Sequence, residues 1–194
     1  MLRECCRRLR EKSCCPSLLA IGTVLCGCTG APEGITPVRF EASRYLGTWY
    51  EVMRLDHRFE RGLTNVNATY GAMDNGRISV VNKGYDAAAG RWRRIEGSAR
   101  FLEDSNTASL AVTFFWPLSG GYHVFDLDPD YTHALVSGPT RDYLWILARQ
   151  PTLSDDILSP LIAKAQSLGF ATQELIRVHH DVPPTEGPTP PSGQ

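Results

Sequence analysis

The chain has 194 residues, with 20 lysines and arginines against 21 aspartates and glutamates, a formal charge of −1. That balance, with no concentrated basic stripe, speaks against a nucleic-acid partner. All six cysteines lie between Cys5 and Cys28, which excludes disulfides, thiolate metal sites and a cysteine nucleophile from everything downstream.

The N-terminus is strongly basic, with Arg3, Arg7, Arg8, Arg10 and Lys12, a bias that holds a leader on the cytoplasmic side of a membrane. Ser17–Cys26 (SLLAIGTVLC) follows as an apolar stretch, long enough for a signal h-region and too short to span a bilayer. Small Gly27 precedes Cys28, and Leu25-Cys26-Gly27-Cys28 resembles the lipobox of bacterial lipoproteins. The expectation is a signal peptide over residues 1–27, cut before Cys28, which then carries acyl chains, palmitate among them. Two or more chains anchor a protein stably, where one holds it only marginally. Thr29, not an aspartate, follows the cysteine; in lipoproteins of this type that points to the outer membrane, with the domain facing the periplasm. The pairs Cys5-Cys6 and Cys14-Cys15 fall in the leader and are not read as a metal motif. Without the leader, 15 basic groups stand against 19 acidic ones. Residues 28–37 read as a linker.

From Gly47 to Arg149 the chain alternates β-rich runs with turn signals. The runs are Thr48–Leu55, Asn65–Ala72, Arg77–Tyr85, Arg91–Leu102, Ala108–Trp116, Tyr122–Leu127, Tyr131–Ser137 and Tyr143–Ala148. The turns include Asp74-Asn75-Gly76, whose Asn-Gly supplies the positive φ of a tight hairpin, and Ser119-Gly120-Gly121. Eight short, evenly spaced strands predict an all-β, antiparallel up-and-down barrel, which leaves no free edge and can enclose one small ligand. A sandwich would use the same strands, but the near absence of long crossovers favours the barrel.

The period then changes. Ile157, Leu158, Leu161, Ile162, Ala165 and Leu168 share one helical face, predicting one C-terminal α-helix over Ser154–Leu168. Ser154 suits its start, Asp155 and Asp156 its positive end, and Gly169 its stop. Pro160 either kinks this helix or marks its true beginning. A last short strand is expected over Glu174–His179. Residues 182–194 (VPPTEGPTPPSGQ) cannot bury a core and read as a disordered, Pro-rich tail.

Gly47-Thr48-Trp49 opens the first strand, Asp130-Tyr131 the seventh, and Arg149 ends the eighth. This pattern resembles the lipocalin signature. Longer stretches, Tyr45–Gly62 (YLGTWYEVMRLDHRFERG), Asn82–Tyr85 (NKGY), His133–Val136 with Gly138-Pro139, and Arg141–Ile146 (RDYLWI), resemble the bacterial outer-membrane lipocalins, a group similar to apolipoprotein D. The resemblance spans residues 38–181 and implies a lipocalin domain there. It makes Gly47, Trp49, Tyr131 and Arg149 structural, with Trp49 plugging the closed end under the Arg149 guanidinium.

By the same resemblance Tyr70, Asn82 and Trp145 line a pocket at the other end. Alternation along a strand adds Tyr143 and Leu147 with Trp145, Val66 and Ala68 with Tyr70, and Val80 and Gly84 with Asn82. On the fifth strand Leu110, Val112, Phe114 and Trp116 are taken as the inward set. Tyr122 is expected as a rim donor. The loop Asp56–Thr64 is the expected lid, with Arg58 or Arg61 for an anionic head group and Phe59 over the mouth.

A dry, aromatic-lined cup with a few polar groups suits one acyl chain and a small head. The resemblance implies lysophospholipid or fatty acid, stored or transported beside the membrane that Cys28 holds, with a homodimer possible. The sequence carries no GxSxG elbow and no HExxH motif. His57, His123, His133, His179 and His180 are scattered, so no catalytic residue, no metal site and no cofactor are assigned. Two other readings are a non-catalytic scaffold that recruits a partner through its tail, and an enzyme acting on a lipophilic substrate.

Overall fold

The computed structural model describes residues 29–181. The expected signal peptide, Cys28 and the tail lie outside the described residues. Eight strands form the wall: β1 (Gly47–Leu55), β2 (Leu63–Ala72), β3 (Ile78–Asp86), β4 (Arg91–Phe101), β5 (Ser109–Phe115), β6 (Leu118–Leu127), β7 (His133–Ser137) and β8 (Leu144–Ala148). Each pairs antiparallel with the next, and β1 pairs with both β8 and β2, so the sheet closes into the expected barrel. A short helix α1 (Ala42–Tyr45) precedes β1, and α2 (Asp155–Ser167) follows β8. A ninth strand, β9 (Leu175–Arg177), pairs with Met53–Leu55 on the edge of β1 that β2 leaves.

Strand direction sorts the loops. The β1–β2, β3–β4, β5–β6 and β7–β8 connections share one end, the mouth. Helix α1 and the β2–β3, β4–β5 and β6–β7 turns share the other.

Alternation divides the apolar side chains into two cores. Inside the barrel lie Trp49, Ala68, Tyr70, Val80, Leu110, Val124, Val136 and Leu147, with Val112, Phe114, Tyr122 and Trp145 partly buried against them. Outside, Val52, Leu135, Leu144, Ile146 and Ala148 pack against Leu158, Leu161 and Ala165 of α2. Phe125 and Phe170 stack there at 5.5 Å. The helix runs through Pro160, which is exposed and lies near its start. Ser154 holds the N-cap position without a side-chain bond, while its carbonyl accepts from Ile157 and Leu158.

Three details correct the sequence reading. The β5–β6 hairpin turns at Trp116-Pro117, not at Ser119-Gly120-Gly121, which belong to β6. Gly121 serves close approach: a Cβ there would sit 2.7 Å from the Thr29 carbonyl oxygen and 2.6 Å from His123 Nε2. Trp116, expected inside, is therefore beyond the end of β5 and 90% exposed. Tyr131 does not open β7; it sits in the preceding turn at φ 60°, its backbone set by the Asp128 side chain, which accepts from Asp130 N, Thr132 N and Thr132 Oγ1.

The expected linker is laid against this wall from Thr29 onward. Ile35 is buried in the outer core, Arg141 donates to the Glu33 carbonyl, and Val38 bonds with Val124 and Ala108.

Candidate functional site

The closed end is built around Trp49, which is fully buried. Its Nε1 donates to the Tyr45 carbonyl at 2.8 Å, and Tyr45 stacks on the indole at 4.6 Å. The Arg149 guanidinium lies 4.1 Å from the centre of the Trp49 ring, a cation–π contact worth about 0.5–2 kcal/mol. Arg149 also donates to the carbonyls of Thr48 (3.0 Å), Arg44 (2.8 Å) and Tyr131 (3.3 Å), tying β1, α1 and the β6–β7 turn together. Tyr131 braces the same end: its hydroxyl accepts from Glu41 N at 2.8 Å, and Arg44 covers its ring at 4.1 Å. Gly47 holds φ +94°, and a Cβ there would meet Arg149 Nη1 at 3.3 Å. Gly47→Ala should therefore lower stability by about 1–2 kcal/mol, the cost of a left-handed non-glycine residue, measured by urea unfolding.

Three phenols cross the interior above this floor. Tyr45 and Tyr122 share a hydrogen bond of 2.8 Å, and Tyr70 donates to Tyr122 at 3.0 Å. Burial pushes all three hydroxyls above the ordinary phenol range, so they stay protonated. Tyr122 is thus an interior group rather than a rim donor. Around the trio, Val80, Leu110, Val124, Val136 and Leu147 present only hydrocarbon.

Toward the mouth the lining changes. Asn82 is half-buried on the inward face of β3, its Oδ1 shielded and without a hydrogen bond. Tyr143 and Trp145 stack at 6.0 Å, and His57 packs edge-on to Trp145 at 5.3 Å. Trp145 Nε1 donates to Glu60 Oε2 at 3.2 Å. Phe114 lies across on β5, against the backbone of Gly97. The six expected pocket residues thus all belong to the interior or its mouth, Tyr70 and Tyr122 deep, and Asn82, Phe114, Tyr143 and Trp145 higher.

The sequence reading missed a buried ionic cluster here. Arg54 is 1% exposed and sits opposite Trp145, with Glu51 opposite Leu147. Its Nη1 lies 3.3 Å from Glu51 Oε2, and its Nη2 donates to the carbonyls of Glu60 (2.8 Å) and Leu63 (3.3 Å). His57 Nε2 is 2.9 Å from Glu60 Oε2. Burial, then the neighbouring Glu60 charge, raises Glu51 well above the carboxylate range against the pull of Arg54. Burial would raise Glu60 too, but bonds and charge from His57, with Trp145 and Arg54, hold it low. Around Arg54 the two carboxyls are therefore pushed in opposite directions, Glu51 up and Glu60 down.

The lid side chains expected to meet a head group do not point inside. Arg61 is paired with Asp56 at 2.7 Å, Arg58 lies 4.9 Å from the Phe59 ring, and Phe59 is 65% exposed. In this short loop His57 and Glu60 turn toward Arg54 of β1, and Arg58, Phe59 and Arg61 are left to solvent.

The description of a lipocalin-like domain matches residues 40–180. The chain belongs to the lipocalin family. It is 53% identical over 156 residues to the outer membrane lipoprotein Blc of Citrobacter freundii, covering 80% of this chain and 88% of that protein. Apolipoprotein D of Bos taurus is 34% identical over 165 residues, covering 75% of this chain and 85% of its own. Insecticyanin from the tobacco hornworm Manduca sexta shares the fold at a TM-score of 0.62 and 18% identity, over 78% of this chain and 86% of that one.

In this lipocalin a groove of about 410 Å³ also lies outside the barrel, between α2 and the β6–β7 turn. Asp126, Asp128, Asp156 and Lys164 line it together with Leu127, Ile157 and Leu161. Among the described residues no three His, Cys, Asp or Glu side chains are grouped to hold a metal ion.

Proposed function

We propose that this lipocalin binds a single-chain lipid, lysophospholipid or fatty acid, in its barrel and holds it beside the outer membrane to which an acylated Cys28 anchors it. The observation that carries the reading is the gradient along the interior. Hydrocarbon and protonated phenols fill the depth, while a buried arginine, a histidine and two carboxyls stand at the mouth. An acyl chain satisfies the first region and a polar head the second. Asn82 Oδ1, shielded and without a bond, is an acceptor available to that head.

The kinship with outer membrane lipoproteins named Blc supports the anchor and the compartment. The lipid is bound without being transformed: His57 and Glu60 are occupied with each other, Trp145 and Arg54. Titrating lysophosphatidylethanolamine or oleate into the protein should quench Trp fluorescence saturably at micromolar lipid or below. Trp145→Phe should abolish most of that signal. An unchanged spectrum with both lipids, the fold being intact by circular dichroism, would sink the proposal.

A further inference from the structure

The tip of the β5–β6 hairpin stands out from the rest of the surface. Phe115 is 69% exposed, Trp116 90% and Leu118 56%, three large apolar side chains at the mouth end of the barrel. Residues 105–125 contain no Asp, Glu, Lys or Arg, so no carboxylate, ammonium or guanidinium on this hairpin opposes transfer into a low-dielectric medium. Phe115 faces the outer side of its strand, away from the barrel interior against which Phe114 and Val112 pack. The tip is thus spare to the binding of a lipid inside.

The start of the described chain lies close to this tip. Thr29, the first described residue, lies on the outer wall against Gly121, three residues along β6 from Leu118. At about 3.3 Å per residue, that is about 10 Å from the tip. A second tie fixes this segment at the mouth end: Arg141, in the β7–β8 loop, donates to the Glu33 carbonyl. Thr29, the residue that follows Cys28 in the sequence, therefore lies on the side of the aromatic tip and not at the closed end. The neighbouring β3–β4 hairpin adds charge of the right sign. It carries Lys83, Arg91, Arg93 and Arg94 against Asp86 and Glu96, and β4 pairs with β5 only from Ser98 onward.

From this placement we infer that Phe115, Trp116 and Leu118 insert into the interfacial layer of the bilayer that holds Cys28, so that the mouth of the barrel faces the membrane. The inference rests on the acyl anchor proposed above. Acyl chains and an aromatic tip are two attachments to one surface, and together they fix an orientation that a flexible anchor alone leaves free. A lipid then passes between bilayer and cavity without crossing bulk water.

The test uses the full chain, expressed with its leader and reconstituted in vesicles of phosphatidylethanolamine and phosphatidylglycerol. Once the leader is removed and Cys28 acylated, Trp116→Cys provides the single free thiol for an environment-sensitive dye. Asp74→Cys, on the β2–β3 turn at the closed end, is the control; both positions are exposed, so neither variant should disturb folding. The expected result is a blue-shifted dye at 116 that brominated acyl chains quench, beside a dye at 74 that stays in water. A protein that floats with the vesicles while the dye at 116 remains in water overturns the docking and leaves the anchor standing. A dye at 116 shielded from water but untouched by brominated lipid also overturns it, in favour of a second copy of the chain. Failure to float, with Cys28 unmodified by mass spectrometry, overturns the anchor and the docking with it.

Discussion

Trp49→Ala should cost the barrel about 3–5 kcal/mol, the range for deleting a large buried aromatic. Against a typical total of about 5–15 kcal/mol, that is a large share of the fold. The indole is fully buried, makes a hydrogen bond to Tyr45 and carries Tyr45 and Arg149 on its faces. Removing it leaves a cavity whose walls belong to α1, β1 and the end of β8, so collapse of any one does not fill it. Urea unfolding would measure the loss, with Trp92→Ala as the control. Trp92 packs against Tyr85 at 5.7 Å and is only half-buried, so its loss should be distinctly smaller. Equal costs at the two positions would mean that the closed end is not the keystone of the barrel. Lipid affinity per folded molecule should change little in Trp49→Ala, because Tyr45 lies on Trp49 and separates it from Tyr70 and Tyr122 at the bottom of the proposed lipid site.

Much of this architecture was readable because strands write their faces at period two. Trp145, Leu147 and Arg149 share the interior, as their spacing requires, and Ile146 and Ala148 supply the platform for α2. Asp74-Asn75-Gly76 turns where expected, but only Gly76, at φ +73°, takes a positive φ; Asn75 does not, and the Gly76 N–H donates to the Met73 carbonyl. Gly120-Gly121 misled because glycine has two uses. It permits a turn, and it also lets another backbone come close; here Thr29 occupies the space a side chain would need. Tyr131 misled for the opposite reason, since a tyrosine at φ 60° is held by its hydroxyl bond, the Arg44 contact and the Asp128 turn, none of which is local to its own propensity.

The ionic cluster was hidden by a bulge. Glu51 and Arg54 are three apart, which on a regular strand puts them on opposite faces. The register of β1 against β8 shifts between Glu51 and Met53, and the extra residue turns both inward. Parity from Trp49 would have placed Glu51 inside. No local signal announced that Arg54 would join it, since charged residues on a strand are ordinarily solvated.

That cluster gives the second large effect. Arg54→Met should lower stability at neutral pH by about 3–5 kcal/mol, because it leaves Glu51 and Glu60 buried without their shared cation. The sign with pH follows from linkage. In the native protein Glu60 is held below the ordinary carboxylate range, so its stabilisation is present above that range and is lost as pH falls through the lowered value. Glu51 is raised, so its contribution is complete below the ordinary range and is lost as pH rises through the raised value. Taking away Arg54 removes a downward pull on both carboxyls and moves both toward the second behaviour. Acidifying Arg54→Met from neutral toward the ordinary carboxylate range should therefore recover part of the loss, while the native protein gains less or weakens. Glu51→Gln/Arg54→Met/Glu60→Gln should regain most of the stability at neutral pH, since a neutral set of similar volume avoids the desolvated charges. A defect in Arg54→Met that neither acid nor the triple variant relieves would show that the guanidinium acts through its bonds to the Glu60 and Leu63 carbonyls, as a brace for the lid rather than a counter-charge.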